Sequence, residues 1–212
     1  MEYNRLMNIT DDDFYNVKNK IVDNVFTKEE IDQIYKAIEN KNGEAFIGHH
    51  CQLNLFIELP NNIIEKLTQK AVEASGFPNL ELSEYCYARY QKTTKKNGRQ
   101  YRPSLFPHYD ETFKEPRFTF DYQLKGTIPW EIVVEDRGLV LRDNQAATFS
   151  GTHQIHWRTP TEFEEDDFVD MIFCHFIIPG HGPKSDVLNN NMNAKAERFK
   201  EYFYANGGFT NG

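Results

Sequence analysis

Arg117-Phe118-Thr119-Phe120-Asp121-Tyr122-Gln123-Leu124 alternates, with Phe118, Phe120, Tyr122 and Leu124 on one side and Thr119, Asp121 and Gln123 on the other. Successive side chains of an extended chain point to opposite faces, so a period of two marks a strand. Upstream, Glu84-Tyr85-Cys86-Tyr87-Ala88-Arg89-Tyr90 reads the same way. Downstream, strands are predicted at Trp130 to Glu135, Leu139 to Arg142, Ala146 to Phe149, His153 to Arg158 and Phe168 to Ile178. Asp136-Arg137-Gly138 is the predicted hairpin turn between the first two of these. The 17 Phe, 11 Tyr and 2 Trp suit pleated surfaces. Many short strands separated by turn signals suggest a sandwich or jelly roll.

Helices flank this β-rich stretch. Thr27 with Glu30 three residues on makes a capping box, followed by Ile31, Ile34, Tyr35 and Ile38 on one face and Gly43 beyond the end. A second helix is predicted from Asn61 to Ser75, striped by Ile64, Leu67, Ala71 and Ala74 and stopped at Gly76-Phe77-Pro78. A last helix is expected from Ala194 to Tyr204, after an Asn-rich stretch, with Phe199, Tyr202 and Phe203 as its apolar face. The tail from Gly207 to Gly212 is expected to be mobile. At 212 residues a single domain is expected: helical support over 1–80, a β-core over 81–180, and a C-terminal helix and tail over 181–212.

The net charge of −8 argues against a nucleic-acid partner, which usually meets a basic footprint. The one basic run, Lys92 to Arg99, reads as a solvated loop. Cys51, Cys86 and Cys174 form no spaced framework, as expected of free thiols in a reducing compartment. The polar, acidic N-terminal stretch lacks the form of a signal peptide, and no apolar run approaches the ~20 residues that span a bilayer. A soluble, cytoplasmic protein with no membrane partner is expected.

Chemistry concentrates in two short motifs. Pro107-His108-Tyr109-Asp110 places a histidine and a carboxylate two residues apart, so both can aim at one ion. His156-Trp157-Arg158-Thr159-Pro160 follows, with His156 lying 46 residues after Asp110. Two histidines and one carboxylate on one face of an octahedral metal leave the remaining positions open, which suits non-haem Fe(II). In a regular strand His153 and His156 face opposite ways, so only one can be the third ligand. Arg158 shares the face of His156. The face of His153, Ile155 and Trp157 looks like packing against helices. The adjacent His49 and His50 are read as surface residues without a role.

Taken together, these stretches resemble the 2-oxoglutarate and Fe(II)-dependent dioxygenases, and among them most the prolyl 4-hydroxylase-like branch. Ile21 to Ile31 is similar to the family's N-terminal strand and capped helix, and Tyr87-Ala88-Arg89-Tyr90 to the strand before its metal motif. Pro107-His108-Tyr109-Asp110 matches the Pro-His-aromatic-Asp form of that motif. His156 with Pro160 four residues later matches the distal histidine, which favours His156 over His153. The resemblance runs from about Val22 to Phe176.

It implies a β-rich α+β fold: a double-stranded β-helix (jelly roll) core with N-terminal supporting helices and a C-terminal helix. It implies that His108, Asp110 and His156 are the metal ligands and catalytic centre. Fe(II), O2 and 2-oxoglutarate as co-substrate are implied with them, and ascorbate as an accessory reductant. The reaction implied is hydroxylation of a C–H bond coupled to decarboxylation of the keto acid to succinate and CO2. The branch favours a prolyl residue of a protein or peptide; a small molecule is the other substrate class. Lys92 to Arg102 would be a mobile flap over the entrance.

The chain departs from the family at one point. A basic residue usually stands about ten residues after the distal histidine to anchor the co-substrate, and here that position is Asp166, within Glu164-Glu165-Asp166-Asp167. That run is read as a solvated turn. Arg158 becomes the first candidate anchor, because it shares the ligand face and a guanidinium holds a carboxylate in a bidentate pair. Tyr122 is the second candidate for co-substrate binding, followed by Arg89, Arg117 and Lys125. The missing anchor also motivates an alternative: a catalytically inactive, metal-binding, cupin-like jelly roll serving as a binding or interaction protein.

Overall fold

The computed structural model describes residues 9–40, 46–47, 52–92, 95–96, 99–100, 103–110, 115–184 and 186–205. In chain order the elements are α1 (Asp11–Tyr15), β1 (Lys20–Val22), α2 (Lys28–Glu39), β2 (Phe46–Ile47), β3 (Gln52–Leu55), α3 (Asn61–Ser75), β4 (Glu81–Gln91), β5 (Lys95–Lys96), β6 (Arg99–Gln100), β7 (Leu105–His108), β8 (Phe118–Gly126), β9 (Glu131–Val134), β10 (Arg137–Val140), β11 (Gln145–Phe149), β12 (His156–Arg158), β13 (Phe168–Ile177) and α4 (Asp186–Ala205). The larger sheet runs β1-β11-β8-β13-β4-β3-β2 and the smaller β10-β9-β12-β7. From β7 onward the chain passes repeatedly between the two sheets, and all pairings are antiparallel. This is a jelly roll with N-terminal helices and a C-terminal helix.

Alternation along β8 explains how the layers pack. Phe118, Phe120 and Tyr122 point to the helices and join Ile34 of α2 and Ile63, Leu67 and Ala71 of α3 in one core. Both helices form where their capping chemistry predicts. Thr27 and Glu30 close the capping box of α2, the Thr27 N–H donating to Glu30 Oε2 at 2.7 Å and the Glu30 N–H to Thr27 Oγ1 at 3.3 Å. Such a cap stabilises a helix by ~1 kcal/mol. The α3 helix ends at Gly76, whose φ of 77° is left-handed backbone that glycine adopts without a Cβ penalty.

The other face of β8 looks into the space between the sheets. There Tyr90, Trp130, Ile132, Val134, Phe149 and Met171 form a second core. Thr119, Asp121 and Gln123 share that side of the strand and are buried as well. The predicted polar face of β8 is therefore not a solvent face. A third cluster, Tyr109, Ile155, Met192 and Ala196, seats α4 on the outside of the smaller sheet.

Three expectations are corrected in detail. The β9–β10 turn is Glu135-Asp136, since Val134 pairs with Arg137, and Glu135 takes the positive φ of 56°. His153 lies in a turn and not in a strand: the His153 and Gln154 N–H groups both donate to the Ser150 carbonyl, at 3.0 and 2.7 Å, and Gln154 Oε1 accepts from the Ser150 N–H. Side chains that satisfy nearby backbone groups compete with ladder pairing, which delays β12 to His156. The last helix begins at Asp186, eight residues before the expected start, and takes in the Asn-rich stretch. Leu188, Met192, Ala196 and Phe199 supply the stripe that packs on the smaller sheet, and packing outweighs the weak helix propensity of asparagine.

Of the segment Lys92 to Arg102, expected to be a flap, Lys95–Lys96 pairs with Arg99–Gln100 in a short ribbon and Lys92 Nζ meets Glu165 Oε2 at 3.2 Å. The rest of the flap, like Gly43, His49, His50, Cys51 and the tail, lies outside the described residues, as do the side chains of Tyr202 and Phe203. Among the described residues no helix is long and apolar enough to cross a membrane.

Candidate metal centre

The antiparallel pairing of β7 with β12 sets His108 directly opposite His156, and their ring centroids lie 4.2 Å apart. Each histidine is held by a carbonyl two residues before it. His108 Nδ1 lies 2.8 Å from the Phe106 oxygen and His156 Nδ1 lies 3.1 Å from the Gln154 oxygen. A carbonyl only accepts, so each Nδ1 carries the hydrogen and each Nε2 keeps a lone pair. Both Nε2 atoms turn to the same carboxylate oxygen: Asp110 Oδ1 is 3.7 Å from His108 Nε2 and 3.6 Å from His156 Nε2. The three ligand atoms all lie within 4.8 Å of one another. Two lone-pair nitrogens and a carboxylate oxygen around one point fit a divalent iron-type ion.

Asp110 follows the end of β7, where its N–H donates to the Gly151 carbonyl at 2.9 Å. The carboxylate packs directly on Gly151: a Cβ there would collide with Asp110 Oδ2 and crowd Thr119 Oγ1. Glycine at 151 is thus a spatial requirement of the site. Burial alone would raise the Asp110 carboxyl, but the charges and hydrogen bonds of His156 and His175 outweigh it and hold the group well below the usual carboxylate range. Burial opposes charging of both ligand histidines. It takes His108 down to about 4, helped by the neighbouring His156. His156 is raised overall, because its charge interaction and hydrogen bond with Asp110 exceed the burial penalty.

Arg158 is on the interior side of β12 with His156 and is 1 % exposed. Its Nη1 donates to the Trp130 carbonyl at 3.0 Å, its Nη2 reaches Met171 Sδ at 3.9 Å, and its plane lies over Trp130 at 4.8 Å. Nε has no partner, and no carboxylate lies in ion-pair range among the described residues. Burial lowers its pKa against the charge of Asp121. Asp121 points inward from β8, and burial raises it to about 6 against His175, Arg158 and His156.

The other candidates are not brought to the site. Tyr122 is corrected: it sits on the helix side of β8, its hydroxyl donates to Asn144 Oδ1 at 3.3 Å, and its ring meets Phe26 edge-on at 5.0 Å. Alternation had already put it on the apolar side of the strand. Arg89 pairs in bidentate fashion with Asp170, at 2.6 and 2.7 Å, on the helix face. Lys125 is exposed, and Arg117 meets Glu115 at 3.8 Å. Asp166 is exposed in the turn before β13, as the acidic run suggested. His153 packs against α1, stacked on Phe14 at 5.5 Å with Nε2 3.4 Å from Asp11 Oδ1. Trp157 packs on Phe199 of α4. That face does serve helices, although a turn and not a strand presents His153.

Sequence reading missed His175, Asp121, Glu84 and Gly151. His175 and Asp121 both occupy inward positions of predicted strands, so periodicity carried a signal for them. Glu84 also shares the inward face of its predicted strand with Tyr90, whereas Gly151 carried no signal without the register.

No protein-family model matches the sequence, and no curated protein matches it. Solved structures do share its fold. One is an oxidoreductase of the 2OG-Fe(II) oxygenase family from Burkholderia pseudomallei, 12% identical, with a TM-score of 0.59 over 82% of this chain and 92% of the other. HygX from Streptomyces hygroscopicus, solved with nickel and 2-oxoglutarate bound, is 10% identical with a TM-score of 0.53 over 84% and 97%. The epimerase SnoN, in complex with Fe3+, alpha ketoglutarate and nogalamycin RO, is 10% identical with a TM-score of 0.55 over 83% and 86%. At these identities the likeness defines a class of fold: the jelly roll on which 2OG-Fe(II) oxygenases are built.

Proposed function

We propose that this protein is a non-haem Fe(II)- and 2-oxoglutarate-dependent oxygenase that hydroxylates a C–H bond, working as one domain. The observation that carries the reading is the convergence of His108 Nε2, His156 Nε2 and Asp110 Oδ1 in a fold shared with such enzymes. Bound iron, with the keto acid and O2, would supply the oxidising power. The chain's own residues bind, orient and shield. The Phe106 and Gln154 carbonyls keep both histidines in the tautomer that offers Nε2. Phe149, 4.8 Å from the His156 ring, helps exclude water.

Arg158 is the proposed anchor for the distal carboxylate of the co-substrate. A buried guanidinium without an anion costs several kcal/mol, and an incoming carboxylate would remove that cost. This would replace the basic residue that the family usually carries about ten residues after the distal histidine. Ascorbate would serve only to keep the iron reduced. For the substrate, the shared fold includes SnoN with nogalamycin RO and HygX with hygromycin B bound, and these support a small molecule over a prolyl residue.

Incubation with Fe(II), ascorbate and 2-oxoglutarate is expected to release succinate, and His108→Ala or Asp110→Ala to abolish it. Turnover retained in either variant would overturn the ligand assignment. Iron bound without any succinate, in the presence or absence of candidate substrates, would support the inactive binding protein instead.

A further inference from the structure

Asp110 shows its two oxygens to different surroundings. Oδ1 faces both ligand histidines. Oδ2 turns the other way, toward His175 Nε2 at 3.5 Å. His175 lies on the interior side of β13, opposite Thr119 of β8 and Glu84 of β4. Its other ring nitrogen, Nδ1, is 3.2 Å from Glu84 Oε1. The imidazole therefore stands between two carboxylates, one nitrogen toward each. The 3.5 Å contact is longer than an ideal hydrogen bond and places the ring edge directly against Oδ2. Neither residue belongs to the metal-binding set, and neither was singled out by the motifs.

We propose that His175, itself oriented by Glu84, is a positioning residue for the metal carboxylate. It faces Asp110 Oδ2 from the larger sheet and hinders rotation of the carboxylate, so that Oδ1 is the oxygen offered to the ion. A carboxylate free to rotate could chelate through both oxygens and fill a position that the co-substrate needs. Gly151 completes the arrangement: it leaves room for Oδ2, and its own carbonyl fixes the Asp110 backbone. The bridge also ties the two sheets together at the site, since Asp110 follows a strand of the smaller sheet and His175 and Glu84 stand on the larger. Partners of this kind typically alter metal affinity 10- to 100-fold when removed. The inference rests on the metal reading proposed above.

The test is a Co(II) titration of the metal-free protein, read by visible ligand-field absorption and calorimetry, with thermal melting of each metal-free variant alongside. Wild type is compared with His175→Leu, His175→Gln and Glu84→Gln. We expect one Co(II) per chain in wild type. His175→Leu should bind at least about 10-fold more weakly, with an altered band pattern. His175→Gln, whose amide can donate to Asp110, should recover part of the affinity and the wild-type bands. Glu84→Gln should give a smaller loss in the same direction. A His175→Leu protein that melts like wild type and binds Co(II) with unchanged affinity and spectrum would overturn the positioning role while leaving the metal centre intact. If His175→Leu is too unstable to compare, Glu84→Gln decides: unchanged affinity and bands overturn the role. Wild type that binds no Co(II) would overturn both this role and the metal reading.

Discussion

The two faces of the larger sheet are both buried, yet they handle charge in opposite ways. On the helix side, Arg89, Asp170 and Tyr87 close on themselves. The guanidinium forks onto both carboxylate oxygens, and the Tyr87 hydroxyl donates to Asp170 Oδ1 at 2.7 Å. Charge there is satisfied within the fold. On the interior side, Arg158 of the facing sheet has no carboxylate in ion-pair range among the described residues, burial raises the Asp121 carboxyl to about 6, and two histidine nitrogens and a carboxylate oxygen converge on one point. Buried polar groups are normally paired, and on the proposed reading the partners of the interior groups are the metal and the co-substrate. On that reading the helix face maintains structure and the interior face binds ligands.

Substitutions can separate the two faces. The largest effect is expected from Arg158→Met. Removing the proposed anchor should weaken 2-oxoglutarate binding on the order of 100-fold, as truncation of one partner of a buried charge pair does. The melting temperature of the ligand-free protein should stay level or rise, because a buried cation with no anion in range among the described residues is lost. Calorimetry and thermal melting read the two halves of that expectation.

Asp170→Ala should show the converse. It strips a buried carboxylate from Arg89 and Tyr87, at a cost of ~2–3 kcal/mol in denaturant melts, since Arg89 is partly solvated. Metal affinity should be kept. A marked loss of metal binding at constant stability would erase the distinction between the faces.

Asp121→Asn should be smaller and dependent on pH. The folded protein holds the Asp121 carboxyl up at about 6, above the ordinary 3.8. A raised carboxyl contributes its stability below the unfolded value and loses it as pH rises through the folded value. Wild type should therefore pay the cost of an ionised Asp121 above pH 6. The asparagine variant should be more stable there, by ~1–3 kcal/mol, with the gain fading toward pH 4. A gain that does not vary with pH would contradict the assignment. The smallest effect is expected from Tyr122→Phe, which loses one long hydrogen bond to Asn144. Stability should fall by less than ~1 kcal/mol, and the 2-oxoglutarate requirement should not change.

Much of the architecture was legible because local signals agreed with packing. The capping box at Thr27 and Glu30, the helix from Asn61 to Ser75 and the alternation of Arg117 to Leu124 each carry their own cause. The triad was legible because His108 and Asp110 are near in sequence and His156 stands in a recognisable setting. What escaped depends on register. His175 reaches Asp110 only because β13 pairs with β8 and β4, and no spacing along the chain encodes that. The start of α4 was hidden because asparagines disfavour helix locally, while Met192 and Ala196 are drawn to Tyr109 and Ile155. His153 was assigned to a strand because the local hydrogen bonding of Ser150 and Gln154 does not show in hydrophobic pattern. Tyr122 was named as a co-substrate contact although alternation put it on the apolar side of its strand, and there the physical signal was the better guide.

The most direct measurement is an anaerobic titration of the metal-free protein with Fe(II) and then 2-oxoglutarate, followed by visible absorption. A weak charge-transfer band that grows with the keto acid is expected in wild type. It should be absent in His156→Ala and need far more 2-oxoglutarate in Arg158→Met. Iron that binds with no band at any keto-acid concentration would contradict the account and leave the jelly roll a binding protein.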